Sequence, residues 1–271
     1  MQDLKPLEYK ENYTDLIPSD CFRISPSMVS KFNDKKWEWY RSQVLGEDTF
    51  SGSTSTVLGT CIHRAAEVFA KKPKEEVFDI LEKELPAYIE SFAANSDIDT
   101  VYIHEQWRAM SEALIDHLRV YGKPTRSEEA IAYEIAPSVY VAGTADALLG
   151  STLIDFKTTS KINPDTTIPF YYRLQLLTYA WIYRKLGVDI QRIKIVWITN
   201  NIIGRISDKT GKPMKDYPAK VEAVTEMITK DDMDFIESYL KLIAETYLKA
   251  KENPELVYLL YSDYRLKDNN G

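Results

Sequence analysis

Cysteine is scarce in this chain of 271 residues, which contains only Cys21 and Cys61. Two thiols cannot build a disulfide framework, and they cannot supply the four ligands of a structural zinc ion or an iron–sulfur cluster. Long apolar runs are missing too, and the opening stretch MQDLKPLEYKENYTDLIPSD has no apolar signal region. We therefore expect no membrane span, and a reducing cytoplasm as the compartment.

An excess of positive charge is also absent, because 34 Lys and Arg residues face 41 Asp and Glu residues, for a net charge of −7. This balance excludes a protein that coats nucleic acid through bulk charge, but it is compatible with an enzyme that grips a phosphate backbone in one local groove. The sequence has no G-x-x-x-x-G-K-[ST] loop, so an enzyme driven by nucleoside triphosphates is not expected.

The first half of the chain has the apolar spacing of helices. A helix is expected to begin at Pro26, with Ser25 or Ser27 as its N-cap, after an irregular lead-in over residues 1–24. A polar linker, EDTFSGSTST, precedes three further helices, and Pro86 should break or kink the second of these. The three are expected at about 57–72, 74–94 and 102–121.

Alternating patterns typical of strands begin near residue 128. EEAIAYEIAP, SVYVAGTADALLG and TLIDFKT predict three short strands in an antiparallel meander. A helix over YYRLQLLTYAWIYRKLG, closed by Gly187, and a strand over QRIKIVWITN follow. An exposed excursion (208–218), a last strand and a last helix complete the pattern. The fold class is therefore α/β (α+β), as one domain over 1–271 with a helical part (about 24–122), a sheet core (about 128–200) and a C-terminal strand and helix (about 218–271).

The stretch STLIDFKTTS carries two charges on a strand that otherwise suits a core. Asp155 and Lys157 point to one face because side chains alternate along a strand. Asp146 lies nine residues earlier, and a tight turn at Gly150-Ser151 would bring it beside Asp155. Two adjacent carboxylates raise each other's pKa unless a cation lies between them, and such oxygen ligands suit Mg²⁺ or Mn²⁺. A structural Asp–Lys ion pair is the alternative interpretation of the isolated motif.

Four motifs occur in one order along the chain. Gly59 and His63 form G-x-x-x-H, and Gly143 and Asp146 form G-x-x-D. Asp155, Lys157 and Thr158 form D-x-K-T, and Gln175 and Tyr179 form Q-x-x-x-Y. Together with the opening segment ISPSMVSKFNDKKWEWY, they resemble the PD-(D/E)XK nuclease superfamily, above all its RecB-like branch with the phage-type exonucleases. The resemblance covers residues 24–70 and 130–200. Two positions depart from the superfamily's name. Residue 145 is Ala rather than Pro, and the acidic residue before Lys157 is Asp155 rather than Glu.

The resemblance implies a restriction-endonuclease-like core, with a mixed central sheet flanked by helices and an N-terminal helical elaboration. It also implies that Asp146, Asp155, the backbone carbonyl of Phe156 and His63 bind Mg²⁺ or Mn²⁺. Lys157 would orient or deprotonate water and stabilise charge on the phosphate. Gln175 and Tyr179, four residues apart on one helix, would face the same site.

The function implied is a Mg/Mn-dependent DNA exonuclease of phage or prophage type that acts in recombination or repair. DNA ends would be its substrate, and a single-strand annealing protein is a candidate partner. One alternative is a catalytically silent nuclease-fold subunit that binds DNA. Another is a CRISPR-adaptation-type nuclease, which the missing cluster cysteines disfavour. Tyr171, Tyr172 and Arg173 could contact DNA or, as aromatic residues more often do, fill the core.

Overall fold

The change from helical to alternating apolar spacing is reproduced in a computed structural model of the chain, which describes residues 13–47, 52–95, 97–160, 167–207, 210–253 and 255. A 3-10 turn at Tyr13–Leu16 precedes the regular elements. The helices are α1 (Pro26–Asp34), α2 (Lys36–Gln43), α3 (Thr54–Lys71), α4 (Lys74–Glu90), α5 (Thr100–Tyr121), α6 (Phe170–Lys185) and α7 (Lys230–Glu252). The strands are β1 (Phe22–Ile24), β2 (Arg126–Ala136), β3 (Val139–Leu149), β4 (Thr152–Thr159), β5 (Arg192–Thr199) and β6 (Val221–Met227).

One mixed sheet contains the six strands found in the described residues. β2, β3 and β4 are antiparallel neighbours, which confirms the predicted meander. β5 lies parallel to β4 after the α6 crossover, and β6 closes the sheet as an antiparallel edge strand. β2 pairs along nearly all of β3, so β1 and β4 meet the opposite edge of β3 at its two ends. The chain therefore has the α/β class expected from its sequence.

Helices cover both faces of the sheet and bury two apolar cores. The core on one face is built with α1, α2, α6 and α7, and it includes Trp39, Leu177, Tyr183 and Ile243. The core on the other face is built with α3, α4 and α5, and it includes Ile62, Leu81, Met110 and Phe156. Leu153 and Ile154 enter different cores, so β4 is buried on both faces. The charges of β4 therefore sit in the centre of the molecule rather than on a half-exposed strand.

The structure differs from the sequence-based expectations in three places. A break at Pro86 is absent, and α4 continues to Glu90 with Leu85 and Ile89 buried on either side of the proline. Residues 22–24 form a strand that pairs with Val139–Val141, although a three-residue strand leaves no periodic signal. The first helical segment is two helices that meet at Lys35. The lead-in over 1–12 and linker residues 48–51 lie outside the described residues.

Other expectations were confirmed. α6 ends at Lys185 and Gly187 follows with a φ of 83°, the left-handed geometry that a helix C′ glycine adopts. The described part of the excursion after β5 is largely exposed and is held by two isolated bridges, Ile202 with Tyr217 and Ile206 with Pro213. In the part of the chain that the structure describes, no helix is long and apolar enough to cross a membrane.

Candidate active site

The candidate site lies where β3 and β4 separate. The two strands pair only from Ala147–Leu149 to Thr152–Ile154, next to the turn. Beyond that point, the Phe156 backbone N–H donates to the Asp146 carboxylate, with 2.9 Å between N and Oδ2. The Asp146 side chain thus takes the place of a strand partner, and the gap between the strands holds the polar groups of the site.

His63 reaches this gap from α3, on one side of the sheet. Its Nδ1 lies 3.4 Å from Glu128 Oε1 and 3.5 Å from Asp146 Oδ1, while its Nε2 lies 3.0 Å from the Phe156 carbonyl oxygen. The structure therefore brings together three of the four predicted metal-binding positions. One ligand atom from each of His63, Glu128 and Asp146 lies within 4.8 Å of the others.

Glu128 is a site residue that the sequence reasoning missed. It stands on β2 directly across from Asp146, between the pairs Ser127–Ala147 and Glu129–Ala145. Its side chain is buried, and its backbone has a φ of 50°, which is rare for a residue other than glycine. Left-handed backbone of this kind costs about 1–3 kcal/mol and tends to occur at functional sites. Only the register of β2 on β3 could have pointed to Glu128, and the sequence does not give that register.

Asp155 and Lys157 face the opposite side of the sheet, toward α6. Lys157 Nζ donates to Asp155 Oδ1 at 2.9 Å, and Gln175 Nε2 donates to the same oxygen at 3.2 Å. Asp155 Oδ2 lies 2.8 Å from Lys157 Nζ but accepts no hydrogen bond of good geometry from the described residues. Asp155 therefore contacts both of its predicted neighbours, Lys157 and Gln175, and its buried Oδ2 is paired with the Lys157 ammonium.

Tyr179 lies under the site rather than at its opening. Its hydroxyl donates to the Thr144 carbonyl oxygen at 2.7 Å, two residues before Asp146. A Cβ on Gly143 would lie only 2.9 Å from that hydroxyl, so the absence of a side chain at Gly143 lets the tyrosine approach β3. The glycine of G-x-x-D and the tyrosine of Q-x-x-x-Y are thus two halves of one packing contact, which holds β3 against α6.

The electrostatics of the gap favour a bound cation. Burial alone would lower the pKa of His63, but the Asp146 and Glu128 carboxylates raise it to about 9. Burial raises the pKa of Asp146 to about 6, because its effect outweighs the lowering by His63, and Asp155 adds a smaller upward contribution. Burial would lower the pKa of Lys157, yet Asp155 and Asp146 raise it. A charged imidazole and a charged ammonium therefore offset two of the three negative charges that Glu128, Asp146 and Asp155 carry when ionised.

The donor set fits a hard divalent ion. Carboxylate and carbonyl oxygens with one imidazole are ligands that Mg²⁺ and Mn²⁺ accept. Asp155 Oδ2 is buried without a hydrogen bond, and His63 already contacts three of the other candidate ligands. The residues present therefore suit such an ion at the gap between β3 and β4.

The aromatic start of α6 lies beside this gap. Lys157 Nζ is 5.1 Å from the centre of the Tyr172 ring, which also meets Trp197 edge to face at 5.3 Å. Arg173 does not face the site, because it pairs with Glu226 and Asp232. Of the three residues named from the sequence, Tyr172 packs and Arg173 anchors the helix, while Tyr171 remains exposed.

Comparison with solved structures finds similar folds at low sequence identity. A candidate exonuclease from Eubacterium rectale matches at a TM-score of 0.53 and 12% identity, over 85% of this chain and 81% of its own. A phage-related exonuclease from Haemophilus somnus matches at a TM-score of 0.36 and 13% identity, over 87% of this chain and 100% of its own. An alkaline exonuclease from Laribacter hongkongensis matches at a TM-score of 0.35 and 14% identity, over 78% of this chain and 98% of its own.

A family model then gives the particular superfamily. The model of the PD-(D/E)XK nuclease superfamily matches residues 23–255, and the chain belongs to that superfamily. Comparison with curated protein sequences finds no significant match. The resemblance in the four motifs is confirmed at the level of the family and the fold.

Proposed function

We propose that this protein is a Mg²⁺- or Mn²⁺-dependent deoxyribonuclease that hydrolyses phosphodiester bonds from DNA ends. The observation that carries the proposal is that His63, Glu128 and Asp146 cluster where β3 and β4 separate, and that Asp146 accepts from the backbone of Phe156, between the paired Asp155 and Lys157. In a chain of the PD-(D/E)XK superfamily, this arrangement supports metal-assisted hydrolysis.

The metal would be held by Asp146, Asp155, the Phe156 carbonyl and His63, as the resemblance implies, with Glu128 added from the structure. When bound, such an ion lowers the pKa of a water molecule and neutralises charge that develops on the phosphate. His63 must release its proton before either nitrogen can bind an ion, because a protonated imidazole has no free lone pair.

Lys157 is suited to hold a phosphate oxygen. The raised pKa of Lys157 favours its protonated form, in which Nζ can donate both to Asp155 and to a phosphate or water oxygen. A fixed cation beside the scissile phosphate stabilises the transition state more than it would in water, because the site is buried. Gln175 positions the Asp155 carboxylate, and Tyr179 positions the strand that carries Asp146.

The preference for ends and the biological role rest on the resemblance to the RecB-like branch. We therefore assign DNA ends as the substrate, recombination or repair of phage or prophage type as the role, and a single-strand annealing protein as a candidate partner. We also assign the nuclease activity to one domain that spans the chain.

End-labelled digestion tests this function directly. Linear and closed-circular DNA, single- and double-stranded, are incubated with Mg²⁺, with Mn²⁺ and with chelator. Linear DNA should be degraded to small products only with metal, and closed circles should survive. Degradation of closed circles would refute the exonuclease assignment, and the absence of metal-dependent cleavage of every substrate would refute the nuclease assignment.

A further inference from the structure

Two exposed aromatic side chains, Phe170 and Tyr171, open helix α6, and Tyr171 lies against Tyr172 at the edge of the candidate site. We propose that they form a stacking platform for an unpaired nucleobase next to the scissile phosphate. The platform rests on the proposed function for its ligand, and it adds a substrate preference: a DNA strand whose terminal base is single-stranded or frayed.

The ring of Tyr172 lies between the platform and Lys157. The Tyr171 and Tyr172 ring centroids are 4.0 Å apart, and Tyr172 lies 5.1 Å from Lys157 Nζ. A phosphate held by Lys157 therefore places the base of the same or the adjacent nucleotide near Tyr171. Gln175 touches Asp155, and Tyr171 lies four residues earlier, so the two residues share the face of α6 that is turned toward the site.

The exposure of these two rings is exceptional for their helix. Phe170 is 54% exposed and Tyr171 is 45% exposed, whereas Trp181 and Tyr183 on the same helix are 3% and 1% exposed. The core-filling explanation therefore holds for the later aromatics of α6 and fails for the first two. Exposed aromatic faces beside a phosphate-binding lysine are what proteins that bind single-stranded nucleic acid present to bases.

The first turn of α6 is held rigidly, so the platform exists before any ligand binds. Arg173 Nε donates to Glu226 at 2.9 Å and its Nη2 donates to Asp232 at 2.8 Å, which links α6 to β6 and α7. The Ile168 backbone N–H donates to Glu226 at 2.7 Å just before the helix. A rigid platform loses little conformational entropy on binding, which improves affinity.

An internal base can stack on a protein ring only after it has left the duplex, because the neighbouring base pairs cover both of its faces. It is tolerant of sequence, since every base has a π face. The platform thus predicts that an intact single strand binds more tightly than a strand of the same length whose central nucleotides are abasic.

The test compares these two oligonucleotides by fluorescence anisotropy, in chelator and, in parallel, with Mn²⁺ in an Asp155→Asn background. The measured quantity is the ratio of the Kd of the abasic strand to the Kd of the intact strand. We expect a ratio of about 5 to 100 for the protein with Tyr171, retention of that ratio in Tyr171→Phe, and a ratio near 1 in Tyr171→Ala. Phe235→Ala, which removes an equally exposed ring on α7, is the matched control and should keep the full ratio.

Three results would overturn the platform. The first is a ratio near 1 with Tyr171 present, and the second is a ratio that Tyr171→Ala leaves unchanged. The third is an equal loss of affinity for both strands in Tyr171→Ala, which would indicate a structural role. None of these readouts uses cleavage, so a protein that stacks bases without hydrolysing DNA would refute the proposed function alone, and a nuclease without the ratio would refute the platform alone.

Discussion

In the gap between β3 and β4, positively charged side chains offset the negative charge of the carboxylates. Glu128, Asp146 and Asp155 bring three carboxylates together, and His63 and Lys157 are the cations that contact them. The imidazole contacts the oxygens of Glu128, Asp146 and Phe156, which are the oxygens that a divalent ion would bind. Protonated His63 and a metal ion therefore compete for one cluster of oxygens.

Replacement of Glu128 by glutamine tests whether this residue belongs to the metal centre. The substitution keeps the shape of the side chain and removes one negative charge, and carboxylate charge is a main determinant of affinity for hard cations. We expect Mn²⁺ to bind at least about tenfold more weakly in Glu128→Gln, measured by calorimetry. Glu134→Gln, on the same strand but bonded to Ser138, is the control and should bind Mn²⁺ like the unmodified protein. Equal affinity in both variants would remove Glu128 from the site.

Much of the site could be predicted at the level of residues, and the reason is local geometry. The two-residue period of a strand places Asp155 beside Lys157, and the turn at Gly150 fixes Asp146 near them. Gln175 needs only the four-residue spacing of a helix and the resemblance. Glu128 escaped because its position depends on strand register and on a left-handed backbone conformation, neither of which has a sequence signal.

A close contact between Gly143 and Tyr179 holds a strand and a helix together beside the site. In Gly143→Ala, the new methyl group would lie 2.9 Å from the Tyr179 hydroxyl and 3.0 Å from Pro26 Cδ. Overpacking of this kind costs about 1–3 kcal/mol of unfolding free energy. We expect that loss in urea denaturation, and we expect Tyr179→Phe to recover part of it in the double variant. Strict additivity of the two substitutions would contradict the contact.

The packing of α6 against α7 should depend on pH through Glu237. Lys241, Lys185 and Trp181 all donate to this carboxylate and lower its pKa to about 2. Because the folded-state pKa lies below the ordinary value of 4.5, the stabilisation is present above pH 4.5 and is lost as the pH falls toward 2. Glu237→Gln should therefore lose less stability than the unmodified protein between pH 5 and pH 2 in thermal denaturation. Identical pH profiles would show that the ion pairs contribute nothing, as solvent-exposed pairs often do.

The elements that the sequence failed to predict share a cause. Pro86 is tolerated inside α4 because the buried residues on both sides of it hold the helix in place. This packing overrides the tendency of proline to end a helix. β1 has three residues and exists only because Val139–Val141 offers an edge to pair with. Local patterns report local preferences, so features that depend on tertiary partners remain invisible until the fold is known.

The chain as a unit should be more stable with metal than without it, because the acidic cluster repels itself when no ion is bound. A ligand at one hundred times its Kd adds about 2.7 kcal/mol of unfolding free energy. For a chain of this size, that gain corresponds to a rise in Tm of roughly 5–10 °C. We expect Mn²⁺ to raise the Tm by that amount in the unmodified protein and by much less in Asp146→Asn. An equal rise in both proteins would place the stabilising ion elsewhere.

The general architecture followed from the sequence, whereas the gap that makes the site did not. The α/β class and the family could be predicted because their signals are local in the sequence and occur in one order along the chain. These signals are the alternating pattern of the strands, the crossover helix and the four motifs. The separation of β3 from β4 depends on a side chain, Asp146, replacing a backbone partner at Phe156. No periodicity in the sequence reports such a replacement.

The hydrolysis of labelled linear DNA at saturating Mn²⁺ tests the proposed chemistry most directly, with Asp155→Ala and Lys157→Ala compared with the unmodified protein. Both variants should keep the circular dichroism of the folded chain, because each substitution removes polar contacts of Asp155, Lys157 and Gln175 and leaves the residues of both apolar cores unchanged. We predict that each variant loses at least about a hundredfold in the rate of cleavage, as expected when a group that stabilises charge in the transition state is removed. Full activity in either folded variant would contradict the assignment of the gap between β3 and β4 as the catalytic site.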